Sequence, residues 1–260
     1  MPKSPLVDLP TPASSVASAG LPSSHSVPQG LPLRNERVVQ SVMVDRILAM
    51  LLLVPALPVM AIAWSLVRLT SRGPGIYYQS RSGLNGKPFK IFKLRTMTHN
   101  CEATTGAVWA KPNDSRVTWL GKILRKTHLD ELPQLFNVLR GEMSLVGPRP
   151  ERPEIVERLK LEIPNYAMRM DVYPGVTGLA QIYAEPDQTL DDVRHKLALD
   201  LRYIAQRSTW LDLRIIGCTA LKMVGLNRTW TRRILFPTMH RQTRRIDGPM
   251  QFPGQPWATL

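Results

Sequence analysis

Cysteine is almost missing from this chain: Cys101 and Cys218 are the only two in 260 residues. They lie far apart and outside any CxxC pattern. No disulfide scaffold and no cysteine-based metal site is indicated, and reducing surroundings are expected. The first thirty residues lack the apolar stretch of a secretory signal, so no cleaved leader is expected there. Internal repeats are also lacking. Acidic residues are scarce: 20 Asp and Glu stand against 34 Lys and Arg, a formal net charge of +14. A chain so basic seeks anions, whether nucleic acid, anionic lipid or phosphorylated substrates. No nucleic-acid-binding motif is present. That absence, with the apolar segment described next, argues against a nucleic-acid partner.

Residues 1–38 are rich in Pro, Ser, Ala and Gly and poor in aromatics. They hold too little apolar surface to offset the entropy of ordering, so a disordered tail is expected. Residues 39–70 differ sharply. An uncharged run from Ile47 to Val67, bounded by Arg46 and Arg68, is about long enough to cross a bilayer as a helix. Pro55 and Pro58 sit in its middle, where each removes a backbone donor and clashes with the preceding turn. Basic residues lie on both sides: Arg34, Arg37 and Arg46 before it, Arg68, Arg72, Arg81 and Lys87 after it. Positive charge marks the cytoplasmic side of a membrane segment, which assigns both flanks to the cytoplasm. A helix that enters, breaks at Pro55 and Pro58 and returns meets both observations. A single span and a buried core helix remain the alternatives.

Residues 71–226 read as one cytosolic domain. Ile76 to Gln79 and Phe89 to Lys93 form short strands around the turn Asn85-Gly86. Asn113-Asp114-Ser115 is placed to cap a helix running to Lys126. Helices are expected over Pro133 to Leu139, Glu151 to Leu161 and Leu190 to Ala205, with loops at Gly147 to Pro150 and at Pro174-Gly175. Trp210 to Leu226 is amphipathic and suits either the membrane interface or the domain's own core. Residues 227–260 form a basic tail, for solvent or for anionic headgroups. The fold class expected is α+β and mostly helical. It joins a re-entrant membrane helix to a compact catalytic domain with interfacial helices and a small β-hairpin.

Chemistry concentrates between Thr127 and Glu151. Asp130 and Glu131 are adjacent carboxylates shortly before Pro133, and proline is welcome only in the first turn of a helix. The pair therefore sits at a helix start, where unpaired N–H groups favour anions. Two neighbouring carboxylates also suit Mg²⁺, which takes oxygen ligands and shares them with substrate phosphates. One carboxylate can then hold the metal while the other attacks phosphorus. Simple helix capping is the plainer use of such a pair. Arg149 stands between Pro148 and Pro150, so its backbone has little freedom and its planar guanidinium suits phosphate. Arg81, Lys87, Lys90, Lys93, Arg95 and Arg125 add positive charge around the pair. Lys93 and Arg95 alternate on a strand and would share one face.

Several long stretches in order resemble the bacterial sugar transferase family of monotopic polyprenyl-phosphate phosphoglycosyl transferases. They are the proline-broken apolar segment, Arg81-Ser82-Gly83, Gly86 to Phe89, Phe92 to Met97, Leu129 to Arg140, Ser144 to Pro150, and Pro174 to Gln181. The resemblance implies transfer of a sugar-1-phosphate from a nucleotide sugar, a UDP-sugar by expectation, to polyprenyl phosphate, with UMP released. Asp130 matches the nucleophile that forms a phospho-aspartate, and Glu131 its Mg²⁺-associated partner. Pro58 matches the helix-breaking proline. Arg149 and Pro150 match a substrate-side loop with a cis proline. The partners implied are the donor, the lipid acceptor and anionic membrane lipid at the cytoplasmic face of the bacterial inner membrane, with self-association left open. Exopolysaccharide, capsule or glycoprotein glycan assembly would begin there. A nonenzymatic basic membrane adaptor is the competing reading. Three places depart from the family pattern. Ser41 and Val42 stand where Lys-Arg is common, Tyr173 where Arg often precedes Pro-Gly, and Ala184 and Glu185 where Gly-Arg is frequent.

Overall fold

The computed structural model describes residues 35–101, 114–184, 189–226 and Phe236, with side chains from Val42 onward. Most of the 1–38 tail and of the 227–260 tail lies outside the described residues. The long helix α1 spans Asn35–Thr70. Its stretch Val42–Thr70 contains an 18-residue window of mean hydropathy 2.4, and it is the one helix among the described residues long and apolar enough to cross a membrane. The interruption expected at Pro55 and Pro58 is corrected: the helix continues through both prolines. Each proline costs one hydrogen bond, but leaving the helix inside a run of apolar side chains would strand several more backbone groups.

A narrow stripe of α1 packs on the rest of the chain through Ala49, Ala56, Met60, Ala63 and Val67. Three of these are alanines, which let the helix approach closely. Ile47, Leu51, Val54, Ile62 and Leu69 are exposed. A helix apolar on its outer faces as well calls for an apolar surrounding.

The hairpin appears where Asn85-Gly86 put it, with longer strands than expected. Strand β1 is Ile76–Ser82 and β2 is Pro88–Leu94. They pair antiparallel from Ile76↔Leu94 to Ser82↔Pro88. Asn85 and Gly86 make the turn with φ of 53° and 74°, values that asparagine and glycine accept best. The free edge of β2 is closed by a side chain. Asn137 is fully buried, donates from Nδ2 to the Lys90 carbonyl at 2.8 Å, and accepts from the Phe92 N–H at 3.1 Å.

Next comes α2 (Trp119–Thr127), capped by Thr118 through the Gly121 N–H. It starts later than the expected cap at 113–115. Asp114 instead pairs with Arg116 two residues on, and a bonded turn of that kind competes with a helix start. Helix α3 is Gln134–Leu139 and α4 is Pro153–Glu162. Two three-residue strands, β3 (Ser144–Val146) and β4 (Gly175–Thr177), pair in parallel. Neither is expected from the sequence pattern, which indicates loops around them. Glycine makes this pairing possible, because a Cβ on Gly175 would lie 2.0 Å from the Gly147 nitrogen.

Helices α5 (Leu179–Tyr183), α6 (Leu190–Gln206) and α7 (Thr209–Met223) complete the domain. Helix α7 buries Leu211, Ile215 and Cys218 in the main core and leaves Trp210 and Leu213 outside. Core packing thus occupies one face of the amphipathic stretch. Phe236, beyond α7, is buried in the same core with its ring 5.9 Å from Tyr183. Near the start of the apolar stretch, Asp45 of α1 accepts a hydrogen bond from Ser144 Oγ. That contact ties the apolar helix to the first residue of β3.

Candidate active site

The two acidic residues lie on a single 3-10 turn, Leu129–Glu131, between α2 and α3. His128, in the left-handed region at φ 57°, closes α2 and starts this turn. Pro133 stands at the N-cap of α3, as its position after the pair implied. Asp130 is buried, at 7% exposure.

Glu131 is clamped. Its Oε1 accepts from Lys93 Nζ at 2.9 Å and from Arg149 Nη2 at 2.5 Å, and Arg149 Nη1 lies 3.4 Å from Oε2. Lys93 comes from β2 and Arg149 from the loop after β3. Burial works against the Glu131 charge, but these two cations outweigh it and hold the carboxyl well below its usual range. Burial pushes the Lys93 ammonium down against the pull of Glu131. The Glu131 charge raises Arg149 further above its ordinary value.

Asp130 is in the opposite state. Burial first, and the neighbouring Glu131 charge second, push it up to about 6. Lys93, Arg149 and Arg125 oppose the rise without cancelling it. So one carboxylate is fixed and ionised, and its neighbour keeps its basicity. That division of labour is the arrangement expected of a carboxylate nucleophile beside an electrostatic partner.

The remaining cations fall into two groups. Arg125 of α2 donates from Nε to Thr96 Oγ1 at 2.9 Å, and its charge reaches Asp130. Arg81 and Arg95 stand back from the pair. Arg81 Nη1 donates to the Pro150 carbonyl at 3.1 Å and to Glu151 Oε1 at 3.0 Å, so it braces the loop. Arg95 is buried and donates from Nη2 to the Ser71 carbonyl and hydroxyl. Strand β2 ends at Leu94, so the alternation that would have put Arg95 beside Lys93 stops one residue too soon. The Arg149–Pro150 bond is trans, since no cis peptide occurs among the described residues. This corrects the cis expectation and matches the default even before proline. Tyr173 lies beside the same loop, its carbonyl against Gly147, while Glu185 is outside the described residues.

Among the described residues no three His, Cys, Asp or Glu side chains gather to hold a metal. The donor set fits Mg²⁺ all the same, because that ion needs only one or two carboxylates beside substrate phosphates. Glu131 Oε2, which meets only the longer Arg149 contact, is the oxygen best able to serve it. An open cleft of about 810 Å³ lies between α1, the hairpin and α3, with Leu57, Met60, Trp64, Phe92 and Phe136 in its walls. Lys90 and Arg140 also line it.

Residues 36–225 match the family model for bacterial sugar transferases. The chain belongs to that family. It is 43% identical over 193 residues to a UDP-glucose:undecaprenyl-phosphate glucose-1-phosphate transferase of Klebsiella pneumoniae, covering 74% of this chain and 41% of that protein. A Caulobacter vibrioides protein of the same name is 44% identical over 174 residues, covering 66% of this chain and 65% of its own length. An Aeromonas hydrophila UDP-N-acetylgalactosamine-undecaprenyl-phosphate N-acetylgalactosaminephosphotransferase is 43% identical over 171 residues, or 65% of this chain and 40% of that one. The chain thus spans less than two thirds of the length of each of these relatives.

The split between the two carboxyls is directly measurable. By carboxyl-carbon NMR without divalent cations, Asp130 should titrate near pH 6 while Glu131 stays ionised far below its usual range. Removing the cation in Arg149→Ala should raise the Glu131 pKa by roughly one to three. Two ordinary carboxyl titrations would contradict the geometry.

Proposed function

We propose that this chain moves a sugar-1-phosphate from a UDP-sugar to undecaprenyl phosphate, releasing UMP, at the cytoplasmic face of the bacterial inner membrane. The carrying observation is the pair itself: a buried, basic Asp130 next to a Glu131 held ionised by Lys93 and Arg149. The names of the relatives point to the same donor and acceptor classes.

In this reading Asp130 attacks the phosphorus nearer the sugar. A phosphorus–oxygen bond forms to Asp130 while the bond to the UMP oxygen breaks, leaving a phospho-aspartate that carries the sugar. The undecaprenyl phosphate oxygen then attacks the same phosphorus and Asp130 leaves as a carboxylate. Arg149 and Arg125 bind phosphate oxygens, and Lys93 keeps Glu131 charged. Mg²⁺ held through Glu131 would offset the charge of the departing nucleotide. The apolar cleft beside α1 offers a wall for the polyprenyl chain. A nonenzymatic adaptor would have no use for a buried carboxylate pair with divided ionisation.

For α1 we propose a re-entrant course in which the continuous helix bends at Pro55 and Pro58 without breaking and keeps both basic flanks in the cytoplasm. The prolines and the flanking arginines support it. A cysteine placed at position 37 should then resist an impermeant label in intact cells. Labelling there would replace re-entry with a simple span.

For activity, the protein with undecaprenyl phosphate and Mg²⁺ should release UMP from at least one member of a UDP-sugar panel. Chelation of Mg²⁺ should stop the release. Protonated Asp130 cannot attack, so the rate should fall as pH drops through about 6. Release of UDP in place of UMP would mean plain glycosyl transfer and would sink the proposal.

A further inference from the structure

The loop that carries Arg149 has an unusual difficulty. Pro148 and Pro150 have no N–H, so the loop must be held through its carbonyls. Three consecutive carbonyls are each taken by a different donor. The Gly175 N–H of β4 donates to Pro148 at 2.9 Å, and Arg81 Nη1 donates to Pro150 at 3.1 Å. Between them, Arg169 Nη2 donates to the Arg149 carbonyl at 3.0 Å.

Arg169 is itself tightly fixed. It sits on the 3-10 turn Tyr166–Met170 between α4 and β4. Its Nη2 pairs with Asp200 Oδ2 of α6 at 2.7 Å, and its Nη1 donates to the Tyr166 hydroxyl at 2.7 Å. Tyr166 and Asp200 are both buried, at 2% and 1% exposure. A guanidinium offers five donors in a rigid fork, and this one spends them on an acid, a phenol and a backbone carbonyl belonging to three separate elements. None of these bonds joins Arg169 to Asp130 or Glu131.

We infer that Arg169, seated on Asp200 and Tyr166, is a positioning residue: it fixes the Arg149 carbonyl and thereby aims the Arg149 guanidinium at Glu131 and the donor phosphate. The consequence for phosphate rests on the function proposed above. The consequence for Glu131 does not. Arginines gather near this loop: the charges of Arg149 and Arg152 both act on Arg81. Asp200 neutralises Arg169, so a cation can stand behind another cation.

The test uses Arg169→Lys, which keeps a charge for Asp200 but cannot reach three acceptors, and Tyr166→Phe, which removes one anchor alone. Nitrogen NMR of the Arg149 side chain in the full chain is the primary readout. Arg169→Lys should move the Arg149 Nε–H signal toward that of a solvent-exposed arginine and speed its exchange with water, with the protein still folded by its thermal transition. Tyr166→Phe should give a smaller change of the same sign. Turnover of UDP-sugar gives the second readout. Arg169→Lys should lower kcat about tenfold or more, the scale expected when a charge-assisted contact loses its geometry. In an Arg149→Lys background the same change should cost less than about twofold, because residues that act through one group are not additive. An unmoved Arg149 Nε–H signal in folded Arg169→Lys would overturn the inference, as would two effects that simply multiply. A wild-type protein that turns over no sugar nucleotide, while Arg169→Lys still moves the Arg149 signal, would fault the proposed function and leave the positioning role standing.

Discussion

Two carboxylates set side by side, one of them buried, repel each other, and the candidate site exists only because cations are brought to the other. Lys93 and Arg149 converge on Glu131 from two unrelated parts of the chain. Once Glu131 is fixed as an anion, its charge joins burial in raising Asp130. The contrast between the two acids is therefore one effect. Remove the cations and both carboxyls would drift toward protonation.

Each piece of the small β structure serves that convergence. The hairpin sets Lys93 on the β2 face turned toward the acidic turn, and Asn137 seals the strand's free edge. On the opposite face, Lys90, Phe92 and Leu94 line the cleft beside α1. The β3–β4 pair does for Arg149 what the hairpin does for Lys93. Its glycines bring the two backbones together, so the proline-flanked loop leaves β3 in one direction only. The apolar helix is part of the same chain of contacts. Asp45 holds Ser144 at the start of β3, three residues before Gly147. The same contact joins α1 to the strand that leads into the Arg149 loop.

Much of this is legible in the sequence, for local reasons. Asn85-Gly86 announces a hairpin because few other residues tolerate such a turn. Pro133 locates the acidic pair because proline is best accommodated at a helix start. Arg149 stands out because two prolines flank it. What the sequence hides is not local. Strands of three residues show no periodicity, so β3 and β4 look like loops. Alternation puts Arg95 on the Lys93 face, but the strand ends first and Arg95 turns to Ser71. Arg169 and Asp200 carry no signal at all, since one more arginine among 34 basic residues is unremarkable until its partners are seen. Continuity of α1 through Pro55 and Pro58 likewise depends on the surroundings, where staying helical outweighs the local penalty.

Mass spectrometry of the intact protein, mixed with a competent sugar nucleotide and Mg²⁺ but no lipid acceptor, bears most directly on the central claim that Asp130 becomes the covalent carrier. Covalent transfer through Asp130 predicts a mass increase equal to one phosphosugar that maps to that residue and persists in the absence of acceptor. The adduct should disappear on adding undecaprenyl phosphate and never form in Asp130→Asn. An adduct on another residue, or full turnover by Asp130→Asn, would contradict the claim and leave the pair as a metal site or a helix cap.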